Sequence, residues 1–209
     1  MEYIERLVGR YPDLTECALS IQAAYLLLET CFSDGKKALV CGNGGSAADS
    51  EHIVVELMKG FYLKRPAPVE LRAKLLAQFP AEGAYLADHL QGALPAISLV
   101  SQTSLVTAFI NDVAADMIYA QQVYGYGTPG DVVVGLSTSG NSANVLNALK
   151  VGRALGLGTL GFTGAHGGAM VDACDVVIRV PWQEIPDIQE RHEAIYHALC
   201  AQLEEHFFS

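Results

Sequence analysis

Two groups of polar residues in this chain have the types and spacing needed to move protons. His52 and Glu56 are four residues apart, so on a helix they share one face. Gln189, His192 and His197 fall at i, i+3 and i+8, which places Gln189 and His197 on about the same face of a second helix. A carboxylate and imidazoles are groups that general acid–base catalysis uses. Taken singly, each histidine also fits a structural role, and the His-xxx-Glu pair also fits an exposed surface pair.

A cluster of hydroxyl groups lies further along the chain. Four of the six residues from 137 to 142 carry a hydroxyl: Ser137, Thr138, Ser139 and Ser142. Hydroxyls and backbone N–H groups at the start of a helix can hold a phosphate monoester without a basic side chain. The alternative is a helix N-cap, for which one Ser or Thr is enough. The number of hydroxyls favours phosphate binding.

A glycine-rich segment, Gly42-Asn43-Gly44-Gly45-Ser46, follows an apolar run and precedes a helix-like run. Glycines there allow close approach of the backbone to a ligand, and free N–H groups at a helix start favour an anion. A tight turn that needs positive φ explains the same glycines, and the glycines alone do not decide between these interpretations. The Lys-Ser/Thr ending of a Walker loop is missing.

Together, these residues supply the parts of an aldose–ketose isomerase. That reaction needs a base to move a proton between C1 and C2, an acid to move one between the oxygens, and a site for the phosphate.

The elements that must position these groups alternate between strands and helices. Short apolar runs at 37–41, 96–100, 132–136, 159–162 and 176–180 predict buried strands. Helical patterns cover 13–34, 47–58, 104–124, 142–155, 168–173 and 186–206. This alternation predicts an α/β fold, a three-layer sandwich around a parallel sheet that N-terminal helices precede. Ligands in such sheets bind beyond the carboxyl ends of the strands.

Residues 66–94 interrupt the alternation. The segment holds three prolines and two short amphipathic pieces, 71–78 and 84–94, and is too long for a simple crossover loop. We therefore predict a helical insertion between the first two strands, within a single domain that spans residues 1–209.

Composition excludes some classes of protein. The net charge of −10 lacks the cationic footprint of a duplex-binding protein, so we expect no nucleic-acid partner. No apolar run approaches the length of a membrane span, so we expect no membrane insertion. Five scattered cysteines and an N-terminus unlike a signal peptide predict a cytoplasmic protein. The 51% hydrophobic content indicates that other copies of the chain cover part of the surface.

Four blocks carry a family resemblance. In order, Cys41-Gly-Asn-Gly-Gly-Ser46, the His52/Glu56 pair, segment 137–142 and Ile188-Gln-Glu-Arg-His192 with His197 resemble the phosphoheptose isomerases. The resemblance runs from about residue 14 to the C-terminus, apart from the insertion. It implies a five-stranded parallel SIS (flavodoxin-like) sheet and a homotetramer whose active sites draw on neighbouring subunits. Family members convert sedoheptulose 7-phosphate to D-glycero-D-manno-heptose 7-phosphate, the first step toward the heptose of bacterial lipopolysaccharide.

The resemblance also implies roles for individual residues. Glu56 would be the base at C1/C2 and His197 the partnering acid/base, the two reaching one pocket from different chains. The phosphate would bind Ser137, Thr138, Ser139 and Ser142. The sugar would contact Asn43, Gly44, Ser46 and Gln189, and also Gln102, which stands where the family usually has an Asp. Zinc, one per subunit, would be held by His52, Glu56, Gln189 and His197, a donor set that zinc accepts.

Two alternatives to an isomerase share this scaffold. One is a non-catalytic protein that binds a replication initiator, and the other is a sugar-phosphate sensor. The resembling scaffold protein lacks the carboxylate at the position of Glu56 and the imidazole at that of His197, and carries Arg in place of Ser139. Because this chain has all three residues, the enzyme interpretation is favoured.

Overall fold

The computed structural model describes residues 2–209 and contains one five-stranded parallel sheet. Its strands lie in the order β2-β1-β3-β4-β5, and every pairing is parallel. Their bounds are β1 Ala38–Gly42, β2 Ala96–Ser98, β3 Val132–Leu136, β4 Gly158–Thr163 and β5 Val176–Arg179. The predicted fold class is confirmed, with strand bounds close to those that the apolar runs indicate.

The described residues form ten α-helices, which pack on both faces of the sheet. They are α1 Glu2–Arg10, α2 Ala18–Ser33, α3 Gly45–Met58, α4 Val69–Gln78, α5 Gly83–His89, α6 Thr103–Asp112, α7 Ile118–Tyr126, α8 Ala143–Ala154, α9 Met170–Ala173 and α10 Ile185–Phe208. No helix in 2–209 combines the length and apolar character needed to cross a bilayer.

Alternate residues of the strands divide the core into two halves. Val40 and Val134 pack with α1, α2, α3 and α10 on one face of the sheet. Leu39 and Val133 pack with α7, α8 and α9 on the other face. Because successive strand residues point to opposite faces, a buried parallel strand must be apolar on both. One consequence matters for the site: α3 and α10 lie side by side on the same face.

Three predicted helices differ in detail. Segment 13–34 begins with a 3₁₀ turn, Pro12–Cys17, before α2. Segment 104–124 is broken at Val113 and Ala114, whose φ/ψ values of −131/−82 and −164/131 are not helical. The side chains of Asn111 and Asp112 hydrogen-bond to each other at this end, and such residues compete with helical backbone bonds. Segment 66–94 contains α4 and α5, shifted a few residues from the predicted pieces.

A buried ion pair joins α3 to α10. The Arg65 guanidinium donates to Glu204 Oε1 at 2.7 Å and to the carbonyls of Leu57 and Glu56 at 2.8 and 3.0 Å. Arg65 and Glu204 are each 1% exposed. Burial would raise the pKa of Glu204, but N–H groups of segment 61–63 and the Arg65 guanidinium outweigh it and hold that pKa below its usual value. Arg65 thus satisfies carbonyls that the C-terminus of α3 leaves open.

We expect Glu204→Gln to lower the free energy of unfolding by about 3 kcal/mol or more, because it leaves a buried guanidinium without its charge partner. Urea unfolding at a fixed protein concentration measures the change. The control is Asp88→Asn, which breaks the exposed Arg72–Asp88 pair and should cost less than about 1 kcal/mol. Equal losses in the two variants would contradict the role given to the buried pair.

Candidate active site

The glycine-rich turn and the hydroxyl cluster leave adjacent strands at the same edge of the sheet. Gly42 of β1 is in register with Leu136 of β3, so Asn43 and Ser137 emerge side by side. The Asn43 and Asn144 amides exchange two hydrogen bonds, at 2.8 and 2.9 Å. Asn144, which the sequence did not single out, therefore ties the two segments together.

The turn is tight and also brings Gln189 to the start of α3. Gly44 has φ +58, which L side chains rarely adopt, and precedes the first residue of α3. A Cβ on Gly45 would come within 2.5 Å of the Gln189 amide. Ser46 is buried, whereas Asn43 and Gly44 are exposed. The glycines thus serve both interpretations, a strained turn and a close approach of a side chain.

The hydroxyl cluster forms a cradle at the end of β3. Ser137 Oγ lies 2.9 Å from Ser142 Oγ and 3.5 Å from Ser139 Oγ. Ser142 is the N-cap residue of α8, yet its hydroxyl makes no capping bond. Ser139 and Thr138 line a cavity of about 430 Å³. The N-cap alternative therefore fails to account for the Ser142 hydroxyl, which faces the other hydroxyls instead.

Gln102 lies at the carboxyl end of the neighbouring strand. It follows β2 and precedes α6, where its carbonyl accepts the backbone N–H of Val106 at 2.9 Å. The order of strands places this end beside the glycine-rich turn.

The proton-transfer candidates meet between α3 and α10. His52 Nε2 lies 3.3 Å from Glu56 Oε1 and 3.3 Å from His197 Nε2. Glu56 is 7% exposed, its Oε2 has no hydrogen-bond partner, and the Lys59 ammonium is 3.6 Å from that atom. Burial and the neighbouring His52 lower the pKa of His197, although Glu193 and Glu56 act in the opposite direction. A neutral imidazole thus stands beside a poorly solvated carboxylate.

Glu56 and His197, which the resemblance places in one pocket from different chains, already come together within one chain. Both contact His52 of the same chain. The spacing of α3 and α10, side by side on one face of the sheet, is the physical reason.

The cluster has the donors of a metal site. Ligand atoms of His52, His197 and Glu193 lie within 4.8 Å of one another, and Glu56 joins them through its contact with His52. Glu193 was not predicted, although it stands four residues before His197 and so shares its helical face. The Gln189 amide lies against Gly45. Gly45 precedes His52 by seven residues, so about 10 Å of helix α3 separates Gln189 from His52. Two imidazole nitrogens 3.3 Å apart, a partnerless carboxylate oxygen and a second carboxylate fit a divalent cation.

Two further groups adjoin His52. The Tyr196 hydroxyl lies 3.0 Å from His52 Nδ1 and 3.3 Å from Asp49 Oδ1. Burial raises the pKa of Asp49 to about 6, with Glu193 acting in the same direction and Tyr196 and His52 against it. A periodicity argument could have found Asp49, which precedes His52 by three residues on one face of α3.

Comparison with known proteins assigns the family. A model described as SIS domain matches residues 2–79 and 79–164. A phosphoheptose isomerase of Rhodospirillum rubrum is 42% identical over 92% of this chain and 88% of its own length. One from Aneurinibacillus thermoaerophilus is 38% identical over 99% of this chain and 95% of its own length. This chain belongs to the phosphoheptose isomerase family.

Solved structures of family members have the same fold. A phosphoheptose isomerase from Francisella tularensis superposes with a TM-score of 0.77 at 28% identity, over 98% of this chain and 95% of that one. The enzyme from Neisseria gonorrhoeae gives 0.72 at 30% identity, over 97% and 91%. Family membership confirms the resemblance that the four sequence blocks carry.

His192 of the family-like Ile-Gln-Glu-Arg-His block is structural. It is fully buried against Phe162, and its Nε2 lies 3.3 Å from the Thr163 carbonyl. Burial lowers the pKa of His192 to about 4, while the bond to Thr163 opposes that shift. The folded protein therefore keeps this imidazole neutral.

We expect His192 to make the stability of the fold depend on pH. Unfolded, its pKa returns to about 6.5, so the unfolded state binds the extra proton and the folded state loses up to about 3 kcal/mol as pH falls from about 6.5 to 4. His192→Gln should flatten this slope, measured as urea midpoints against pH. His89→Gln, an exposed control, should keep it. An unchanged slope in His192→Gln would refute the assignment.

Proposed function

We propose that this protein is a sugar-phosphate isomerase of heptose biosynthesis that converts sedoheptulose 7-phosphate to D-glycero-D-manno-heptose 7-phosphate. The observation that carries the proposal is the convergence of Glu56, His52 and His197, together with a separate hydroxyl cradle, in a chain of the phosphoheptose isomerase family. The curated relatives named above carry that enzyme name, which disfavours the scaffold and sensor alternatives. Five free cysteines support a cytoplasmic location as part of the proposal.

Glu56 would act on carbon and His197 on oxygen. Glu56 takes a proton from C1 of the ketose and returns it to C2, because its buried oxygen has no competing hydrogen bond. His197, neutral through burial, accepts a proton from one sugar oxygen and delivers it to the other. Ser137, Thr138, Ser139 and Ser142 hold the phosphate, and the sugar lies along Asn43, Gly44, Ser46, Gln102 and Gln189.

A divalent metal, with zinc as the best match to the donors, fits between α3 and α10. His52 and His197 would hold it with Glu193 or Glu56, and Gln189 would have to turn from Gly45 to reach it. When bound, such an ion polarises a carbonyl or hydroxyl oxygen of the substrate. With Glu193 available as a carboxylate ligand, Glu56 remains free to carry the proton.

We propose that the complete site forms between subunits, with the cradle of one chain facing the Glu56/His197 cluster of another. Glu56 lies eleven residues from Gly45, or about 16 Å down α3 from the edge of the sheet where the cradle lies. This separation of the two groups within one chain supports a site that two chains share. Exposed apolar side chains such as Leu19 and Val69, 81% and 77% exposed, provide surface for the proposed homotetramer.

Glu56→Gln should abolish isomerisation but retain binding of the sugar phosphate. The amide keeps the shape of the side chain but cannot accept the proton, so kcat should fall at least ~10²-fold with little change in ligand affinity. Coupled turnover assays and calorimetry measure the two effects. The control is Glu51→Gln on the same helix, whose exposed carboxylate accepts the Ser101 hydroxyl. Turnover near the wild-type rate in Glu56→Gln would show that the base is another residue.

Mixing defective chains should reveal the shared site. Ser139→Asp puts a negative charge in the cradle and should raise KM strongly by repelling phosphate. Co-refolded with Glu56→Gln, it should regain activity in roughly a quarter of the sites, those with both intact halves. Glu56→Gln mixed with His197→Ala is the control and should not recover, because both defects fall in one cluster. Absence of recovery in verified mixed oligomers of the first pair would refute a site between subunits.

A further inference from the structure

Two residues that take no part in the proposed chemistry, Tyr196 and Asp49, lie on the Nδ1 side of the His52 ring. Tyr196 is 2% exposed, and its ring meets that of His52 edge to face, with centroids 5.4 Å apart. Its hydroxyl lies between His52 Nδ1, at 3.0 Å, and Asp49 Oδ1, at 3.3 Å. Asp49 Oδ2 is buried and has no hydrogen-bond partner. The three groups form a chain from Asp49 through Tyr196 to the imidazole.

When Asp49 is ionised, the single proton of the phenol allows two arrangements of this chain. If Tyr196 donates to His52 Nδ1, the neutral imidazole carries its proton on Nε2, and Asp49 receives no hydrogen bond at either oxygen. If Tyr196 donates to Asp49, its oxygen accepts the Nδ1–H of His52; Asp49 is then paired, while His52 Nε2 and Glu56 Oε1, 3.3 Å apart, face each other as two acceptors. Because two buried acceptors need a proton or a cation between them, the second arrangement goes with an occupied space between α3 and α10, where the ligand atoms of His197 and Glu193 also lie.

We propose that Tyr196 and Asp49 are positioning residues that fix the tautomer of His52, with its proton on Nδ1. The lone pair of Nε2 then points at the space shared with Glu56, His197 and Glu193, where a proton or a cation is needed. Outer groups that hold the second nitrogen of a histidine set both the orientation of the ring and its strength as a donor. The consequence for catalysis rests on the proposed function, whereas the proton positions do not.

The proton positions can be observed directly. Neutron diffraction from crystals of the deuterated protein soaked with zinc ions at about pH 8, where an ordinary histidine is neutral, locates each deuteron. We expect a deuteron on His52 Nδ1, none on Nε2, and the Tyr196 deuteron directed at Asp49. A deuteron on Nε2, alone or together with one on Nδ1, overturns the proposal.

The functional consequence is tested with Tyr196→Phe, which removes only the hydroxyl. By calorimetric titration with zinc ions we expect affinity to fall about 10–100-fold, and kcat to fall about 10-fold with KM within about twofold. Tyr25→Phe is the matched control, because Tyr25 is buried on α2 away from the site, and it should change neither quantity. Equal zinc affinity in the two variants overturns the positioning role.

A second variant, Asp49→Asn, tests the same role in case Tyr196→Phe does not fold. Asp49→Asn keeps the shape of the side chain but removes its charge, so it should weaken zinc binding in the same direction and by less than Tyr196→Phe. An unchanged zinc affinity in Asp49→Asn overturns the part assigned to Asp49. If the wild-type protein turns over no sugar phosphate, the proposed function fails, while the neutron map and the zinc titrations still decide this inference.

Discussion

The buried Arg65–Glu204 pair is the constraint on which the candidate site depends. Arg65 donates to the last carbonyls of α3. Glu204, a residue of α10, accepts the backbone N–H groups of segment 61–63, the loop that follows α3. The attraction within a buried ion pair offsets the free energy lost on desolvation only when the remaining donors and acceptors are hydrogen-bonded. In this pair they are. Because α3 carries Glu56 and α10 carries His197, the ion pair helps to fix the separation of these two candidate residues.

The placement of the two helices also determines how far the Glu56/His197 cluster lies from the hydroxyl cradle. Both helices run away from the edge of the sheet where the cradle lies: Gln189 meets Gly45 near that edge, and His197 meets His52 further down. A cavity of about 270 Å³ adjoins His197 and Glu193 and is also lined by Arg6 and Arg10. Glu190 also lines this cavity, so its two arginines are matched by two glutamates.

The pattern of apolar residues along the sequence predicted the strands and helices, but it did not predict where a helix is broken. The five strands were found from apolar runs, because a strand buried on both faces must be apolar throughout. The break at Val113 and the 3₁₀ turn Pro12–Cys17 were missed, since helical periodicity continues across them. In the same way, periodicity placed Gln189 and His197 on one face but could not show that the Gln189 amide lies against Gly45, at the start of α3.

The sequence by itself determined the fold class and the family, and it named the candidate site residues, because residue type and spacing carry that information. Tertiary structure alone decided which candidates meet. It separated His192, buried beside Phe162, from His197, and it added Glu193, Asp49 and Tyr196 to the surroundings of His52. Contacts between α3 and α10 join residues that are far apart in the sequence: His52 and His197, which hydrogen-bond to each other, are 145 positions apart. Such contacts depend on how two helices pack on one face of a sheet, which no local pattern specifies.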